Sequence, residues 1–357
     1  MTSLSRRQTK LNSVAIYLTI YTFLALTAMS NRRAFAYGPV ILAGAFLFLF
    51  MGFRFETGCD WSGYLHRWNS VDQETRPWSE VFGGELGFSL FQNSMKGLGL
   101  DYVSFNAAIS LVLVFCYIRF ARAHYFHWLI LALLFPIVMV QLGMSGVRQA
   151  LAGGFLLLSF NAFLEGKKSW AAIWVLIATQ FHASAVSFLP IAFFAGERIT
   201  GSRLTLTILG LVPLSALLMG ERADQYQARY GAGEVISGGA LVRYAISLWI
   251  VPVFYVYRQK ILVTFPKEFP LLSFSALIIV ALSPLVFVSS IALHRLNYYV
   301  VPLSVLLCVY VGSVAFKRPI IGHSIALAIY GGYMVFWFLF SRHASFCYVP
   351  YENVLLM

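Results

Sequence analysis

The chain has 357 residues, 59% of them hydrophobic and 11% charged, with a mean hydropathy of +0.75 and a formal net charge of +12. Soluble domains carry roughly 25% charged residues, so the composition excludes an ordinary soluble domain, and its aliphatic and aromatic content excludes disorder. The excess positive charge forms no basic stripe interleaved with aromatic residues, which argues against nucleic acid as a partner.

The first apolar stretch, 12–30, is long enough to span and is followed by basic "NRR" rather than a small-residue cleavage site, so it reads as a membrane helix and not a signal peptide. A span needs about 20 apolar residues. Further candidates are 35–53, 103–120, 127–143, 147–164, 204–220, 240–257, 269–291, 296–316 and 319–340. The stretch 169–196 is long for one helix and short for two, with "QFHAS" inside it and Pro190 beyond. It reads as two half-length or tilted segments meeting near Ser184. The expectation is an all-α polytopic integral membrane protein of about 10–12 transmembrane helices. It forms a single domain over 1–357, with a re-entrant or broken segment near 169–196.

Charge placement orients it. If 169–196 crosses twice, the short loops containing Arg32, Arg119, Lys167, Arg198, Lys260 and Lys317 fall on one face with thirteen basic residues against three acids. The positive-inside rule makes that face cytoplasmic. The loop 54–102, with an amphipathic segment at 84–100, and a second loop, 221–239, then lie on the outer face with both termini. Arg6, Arg7 and Lys10 run against this assignment.

Four outer-face stretches carry chemistry. In "FRFETGCDWSGYLHRWNS", 53–70, a helix would put Asp60, Tyr64 and Arg67 or Trp68 on one stripe. An acid beside aromatic rings suits a sugar; the bland alternative is a solvated helix with interfacial aromatics. In "GMSGVRQALAGGF", 143–155, Gly146, Ala150 and Gly154 form a close-packing stripe. Ser145 is placed to cap the helix and Arg148 falls in its first turn, where a cation opposes the dipole unless an anion shares the site. His182 interrupts an apolar run at membrane depth, where an ionisable residue is a functional candidate by default and a neutral imidazole can take a hydroxyl proton. In "HRLNYY", 294–299, Arg295 is read as opening a helix like Arg148, and His294 beside it is a second candidate base. Two guanidinium forks suit a diphosphate; the alternatives are a snorkelling arginine and a hydrogen-bonded structural histidine. No C-x-x-C, P-loop, G-x-S-x-G or H-E-x-x-H occurs, so no metal or cofactor is expected. Cys116 and Cys308 read as apolar fillers. Cys59 and Cys347 face the oxidising side, as two separate thiols in the simpler reading or as a bridge between loop and tail.

Taken together these runs resemble the EpsG family of Wzy-type exopolysaccharide and O-antigen polymerases. "GCDWSGY", Gly58 to Tyr64, resembles its G-T-D-Y-x-x-Y signature. "GELGFSLF" is similar to E-P-G-Y-x-x-L at Glu85 and Gly87. "VRQALAGGFLL" resembles I-R-Q-x-L-A-x-A at Arg148, Gln149, Leu151 and Ala152. "FHASAVSFLPI" is similar to F-H-x-S-A at Phe181, His182, Ser184 and Ala185, and "HRLNYYV" resembles a late R-x-x-x-Y element. The order holds from about 54 to 305. Cys59 and Trp61 depart from the family's threonine and tyrosine, so a hydrogen bond from that tyrosine hydroxyl is lost while a stacking ring remains. The cysteine leans toward the bridge.

The resemblance implies a metal-independent membrane glycosyltransferase of the bacterial inner membrane, with an active-site cavity facing the periplasm or exterior. It would move a growing glycan from undecaprenyl diphosphate to the non-reducing end of a lipid-linked repeat unit. The bilayer, the undecaprenyl-diphosphate-linked oligosaccharide, a chain-length regulator and a flippase are the implied partners. On this reading Arg148 and Arg295 hold the diphosphate, and His182 or Asp60 is the base or orients the acceptor. Tyr64, Glu85, Trp61, Gln149, His294 and Tyr298 bind substrate. An O-antigen ligase, a membrane O-acetyltransferase and a non-enzymatic polysaccharide transporter are the alternatives.

Overall fold

The computed structural model describes residues 3–30, 37–70, 85–194 and 238–357. The span expected at 204–220, and residues 221–237 of the loop expected at 221–239, lie outside these residues. The chain is an all-α polytopic membrane protein: among the described residues seven helices are long and apolar enough to cross a bilayer. They sit close to seven expected spans. Two more expected spans, 35–53 and 127–143, appear as the shorter apolar helices Gly38–Gly52 and His127–Leu142.

In chain order, α1 (Ser3–Ser30) and α2 (Tyr37–Gly52) lead into β1 (Arg54–Phe55) and two short helices, α3 (Trp61–Ser70) and α4 (Leu86–Gly97). The long α5 (Tyr102–Arg122) starts at an Asp101 cap, whose carboxylate accepts from the Ser104 amide at 2.8 Å. After it α6 (His127–Leu134) widens into a π-helical stretch, Phe135–Leu142, around Pro136. Every residue of 127–142 is buried, so this element is the centre of the bundle. Next comes α7 (Val147–Leu164), and α8 (Lys168–Phe181) and α9 (Ile191–Phe194) pack against it. The later helices are α10 (Gly238–Leu248), α11 (Ile250–Thr264), α12 (Phe269–Ala281), α13 (Leu285–Val288), α14 (Ser290–Ala315), α15 (Pro319–Phe340) and α16 (Arg342–Cys347). The outward rows of α1, α2, α5 and α15 expose Phe23, Leu42, Phe115 and Leu339, which is what a lipid-facing surface requires.

The break expected in 169–196 is present. The helix α8 has 14 residues, about 21 Å at 1.5 Å per residue, short of a hydrocarbon core. It stops at His182, whose backbone is extended (φ −156°, ψ 118°), and a 3-10 turn, Ala183–Phe188, follows. A second break was not expected. The span read as 269–291 ends at Ala281, and a turn through Pro284 leads into α14, which starts at Ser290 because the Ser289 hydroxyl accepts from the Ala292 amide.

The C-terminal tail closes one end of the bundle. Its strand β2 (Glu352–Asn353) pairs antiparallel with β1, Arg54 opposite Asn353. Tyr351 donates to the Phe50 carbonyl at 2.8 Å. Cys59 and Cys347 form a disulfide, so the simpler reading of two separate thiols is corrected. Sequence distance, 288 residues, hid a proximity that the β1–β2 pairing enforces.

Candidate active site

Residues from four distant stretches meet at the end of the bundle that the tail closes, on the loop 54–60, the start of α4, the turn 143–147 and the break at His182. Arg54 organises the first of these. Only 3% exposed, it donates to the Met51, Thr57 and Met144 carbonyls at 2.5, 3.1 and 3.2 Å and to Asn106 Oδ1 at 3.2 Å. Its charge is thus dispersed over backbone dipoles, and it clamps the loop to the turn before α7. Gly58 lies against the same turn with φ +109°, and a Cβ there would fall on the Met144 carbonyl. Only glycine satisfies both conditions.

That clamp sets the positions of Asp60 and Tyr64. Asp60 Oδ2 accepts from the Ser145 hydroxyl at 3.2 Å. The expectation that Ser145 caps α7 is therefore corrected: Gly146 is the cap residue, without a side-chain bond, because the hydroxyl is turned to the carboxylate. Tyr64, one helical turn later, accepts from Arg148 Nε at 3.3 Å. Burial pushes the Tyr64 phenol above its ordinary value and the Arg148 charge pulls the other way. The phenol therefore stays protonated at neutral pH.

Glu85 is the hub. It is 5% exposed, at the residue before α4. Its Oε2 takes Arg148 Nη1 at 2.7 Å and its Oε1 lies 2.5 Å from His182 Nδ1. A buried carboxylate is tolerated only when paired and hydrogen-bonded, and this one has both oxygens engaged. Gly87 makes the approach possible: a Cβ there would lie 2.8 Å from Gln180 Cβ, so a side chain would push α4 off α8 and carry Glu85 away from His182. The Arg148 side chain remains 36% exposed and can still reach a ligand. Arg148 does occupy the first turn of α7, as expected, but the anion that shares its site inside the protein is Glu85.

Gln149 Nε2 donates to the Arg295 carbonyl at 2.6 Å, tying α7 to α14. Arg295 itself is in the second turn of α14, since that helix begins at Ser290; the expectation that it opens a helix is corrected, and the dipole argument lapses with it. It still lies within electrostatic reach of His182. Ser184, just past the break, shares a 3.2 Å hydrogen bond with the Tyr299 hydroxyl. The His294 ring packs edge-on against Tyr298, centroids 5.1 Å apart.

Two expectations shift. Trp61 is 7% exposed, with its ring against Phe55 and Tyr102, so it belongs to the packing beneath the site and is corrected as a sugar platform. Trp68, expected on the Asp60 stripe, likewise stacks on Phe105 in the core. An amphipathic loop helix hides its larger rings, and both tryptophans supply more apolar area than Tyr64.

One residue was missed. Arg243, on α10, is 7% exposed and lies over the Tyr298 ring at 5.1 Å. It donates to Gln141 Oε1 at 3.3 Å, an oxygen that also accepts from Tyr333 at 2.9 Å, and its Nε has no acceptor. Among the described residues no carboxylate pairs with it. In the sequence it stands as a single cation in "GGALVRYAISLWI", with no acid near it and no motif around it. The one available signal was an arginine inside an apolar span.

One group of metal-ligating type occurs among the described residues, Cys59, His343 and Cys347, and its two sulfurs are bonded to each other. A family model described as the EpsG family matches residues 37–353 of the chain. No curated protein and no solved structure matches it.

Proposed function

Since the chain belongs to the EpsG family, whose role is of the exopolysaccharide or O-antigen polymerase type, we propose that it transfers a growing glycan from undecaprenyl diphosphate to the non-reducing end of a lipid-linked repeat unit. The reaction takes place on the outer face of the bacterial inner membrane. The observation that carries this reading is the hydrogen-bonded chain Arg148–Glu85–His182, which joins three separate motif runs at one end of a membrane bundle.

The chemistry follows from the bond pattern. A hydroxyl of the acceptor sugar must lose a proton as it attacks the anomeric carbon, and the C–O bond to the diphosphate breaks with its electron pair on the leaving oxygen. Glu85 fixes the imidazole through Nδ1, so Nε2 is the nitrogen that receives the proton, as a carboxylate orients a general base in hydrolytic triads. Arg148, Arg295 and Arg243 supply positive charge where the diphosphate charge builds up. Asp60, Tyr64, Gln149, His294 and Tyr298 offer polar edges and rings to the sugars.

The test is a glycan ladder from host cells carrying Arg148→Ala at normal expression, beside wild type and a deletion. A single repeat unit with every longer band lost, in both mutant and deletion, is the expected result. An unchanged ladder in the deletion overturns the polymerase reading.

A further inference from the structure

The opposite end of the bundle holds a second polar feature. Where α5 ends and α7 turns into α8, a cavity of about 250 Å³ is lined by Phe115, Arg119, Asn161, Lys167, Trp170 and Trp174. Asn161 is about 20 Å along α7 from Arg148, at 1.5 Å per residue, so this cavity is separate from the site above.

Asn161 is the informative residue. It is 5% exposed, and its amide nitrogen donates to the Arg119 carbonyl at 2.9 Å, which fixes the orientation of the group. Its Oδ1 is left buried without a donor. A buried acceptor of this kind is costly to leave unmade, and Asn161 is one of the residues that line the cavity. Positive charge surrounds it. Lys167 pairs with Glu165 at 2.7 Å, while Arg119 and Lys267 act on the same carboxylate, so three cations face one acid. The rim is apolar. Leu111, Phe115 and Arg119 recur every four residues on one face of α5, and Leu111, Phe115 and Trp170 are 58%, 60% and 51% exposed. Trp174 stacks on Phe155 with ring planes 8° apart, making a rigid wall.

We propose that this cavity binds the headgroup of an anionic glycerophospholipid. The phosphodiester sits against Arg119 and Lys167, a headgroup hydroxyl donates to Asn161 Oδ1, and the acyl chains run along Leu111 and Phe115. Basic pockets between membrane helices recognise lipid headgroups by this combination of charge and shape.

Native mass spectrometry of the detergent-solubilised full chain tests it, titrated with phosphatidylglycerol, phosphatidylethanol, phosphatidylcholine and glycerol phosphate. Phosphatidylethanol keeps the anionic phosphodiester but lacks the headgroup hydroxyl. The expected order of affinity is phosphatidylglycerol, then phosphatidylethanol, then phosphatidylcholine. R119Q/K167Q, at two exposed positions, lowers phosphatidylglycerol affinity at least tenfold, to the level of phosphatidylcholine. Asn161→Ala removes the gap between phosphatidylglycerol and phosphatidylethanol but keeps the preference for anionic lipid. Equal phosphatidylglycerol affinity in wild type and R119Q/K167Q overturns the proposal. Binding of glycerol phosphate as tight as that of the lipid overturns the assignment to lipid in favour of a soluble phosphate.

Discussion

Glu85 and His182 stand 97 residues apart in the chain, and their side chains meet at 2.5 Å on the buried side of the site. The same carboxylate holds Arg148, so one group fixes both a candidate base and a candidate anion-binding cation.

Glu85→Gln keeps the shape but removes the charge. Misorienting a general base costs on the order of 10²–10⁴ in rate. Long glycan chains are therefore expected to disappear from the ladder, while the protein level in membranes stays near wild type. Purified variant with lipid-linked repeat unit gives the rate; a rate within threefold of wild type would show that Glu85 does not serve the reaction.

Arg243→Met separates two roles of a buried arginine. A buried charge with no acid partner carries a desolvation cost, which an apolar chain of similar length removes. Thermal unfolding in detergent is expected to be unchanged or raised, with polymerisation lost. A lowered melting temperature with normal ladders would mean that Arg243 serves packing against Tyr298 alone.

Gly58→Ala places a side chain at φ +109° against the Met144 carbonyl. Strain of this kind costs roughly 1–3 kcal/mol, and relief requires the loop to lift from the turn that holds Ser145. Both melting temperature and chain length are expected to fall, whereas Gly63→Ala, with open space at its Cβ, is expected to change neither.

The bridge between Cys59 and Cys347 is checked by thiol counting. Under denaturation without reductant, a maleimide polymer is expected to label only Cys116 and Cys308, and all four cysteines after reduction. Cys59→Ser is expected to destabilise by about 2–4 kcal/mol, read as a lower melting temperature; four labelled thiols without reductant would remove the bridge.

Much of the fold was legible because spanning a bilayer is a constraint on local composition: about 20 apolar residues must follow one another, and among the described residues seven such helices are found where the runs stand. The break at His182 was legible for the same reason, since a polar residue at that depth needs an interruption that protein can cover. Asp60, Tyr64, Arg148 and His182 could be named from the residue types around them, and Glu85 from the resemblance of its run to a family element. Their arrangement could not. How closely Glu85 approaches His182 depends on Gly87 meeting Gln180, a contact between helices. Arg295 lost its place at a helix start because a serine six residues earlier captured the cap. Trp61 and Trp68 were drawn into the core because burial of a large ring outweighs its use at the surface. Arg243 went unnoticed, and the bridged cysteines were read as separate, because pairing across a fold leaves no local trace. The sequence by itself determined the membrane architecture and the identity of most candidate groups, because both are local properties of composition and spacing. The tertiary structure alone decided partners, orientation and exposure, because these depend on which helices approach closely enough to touch.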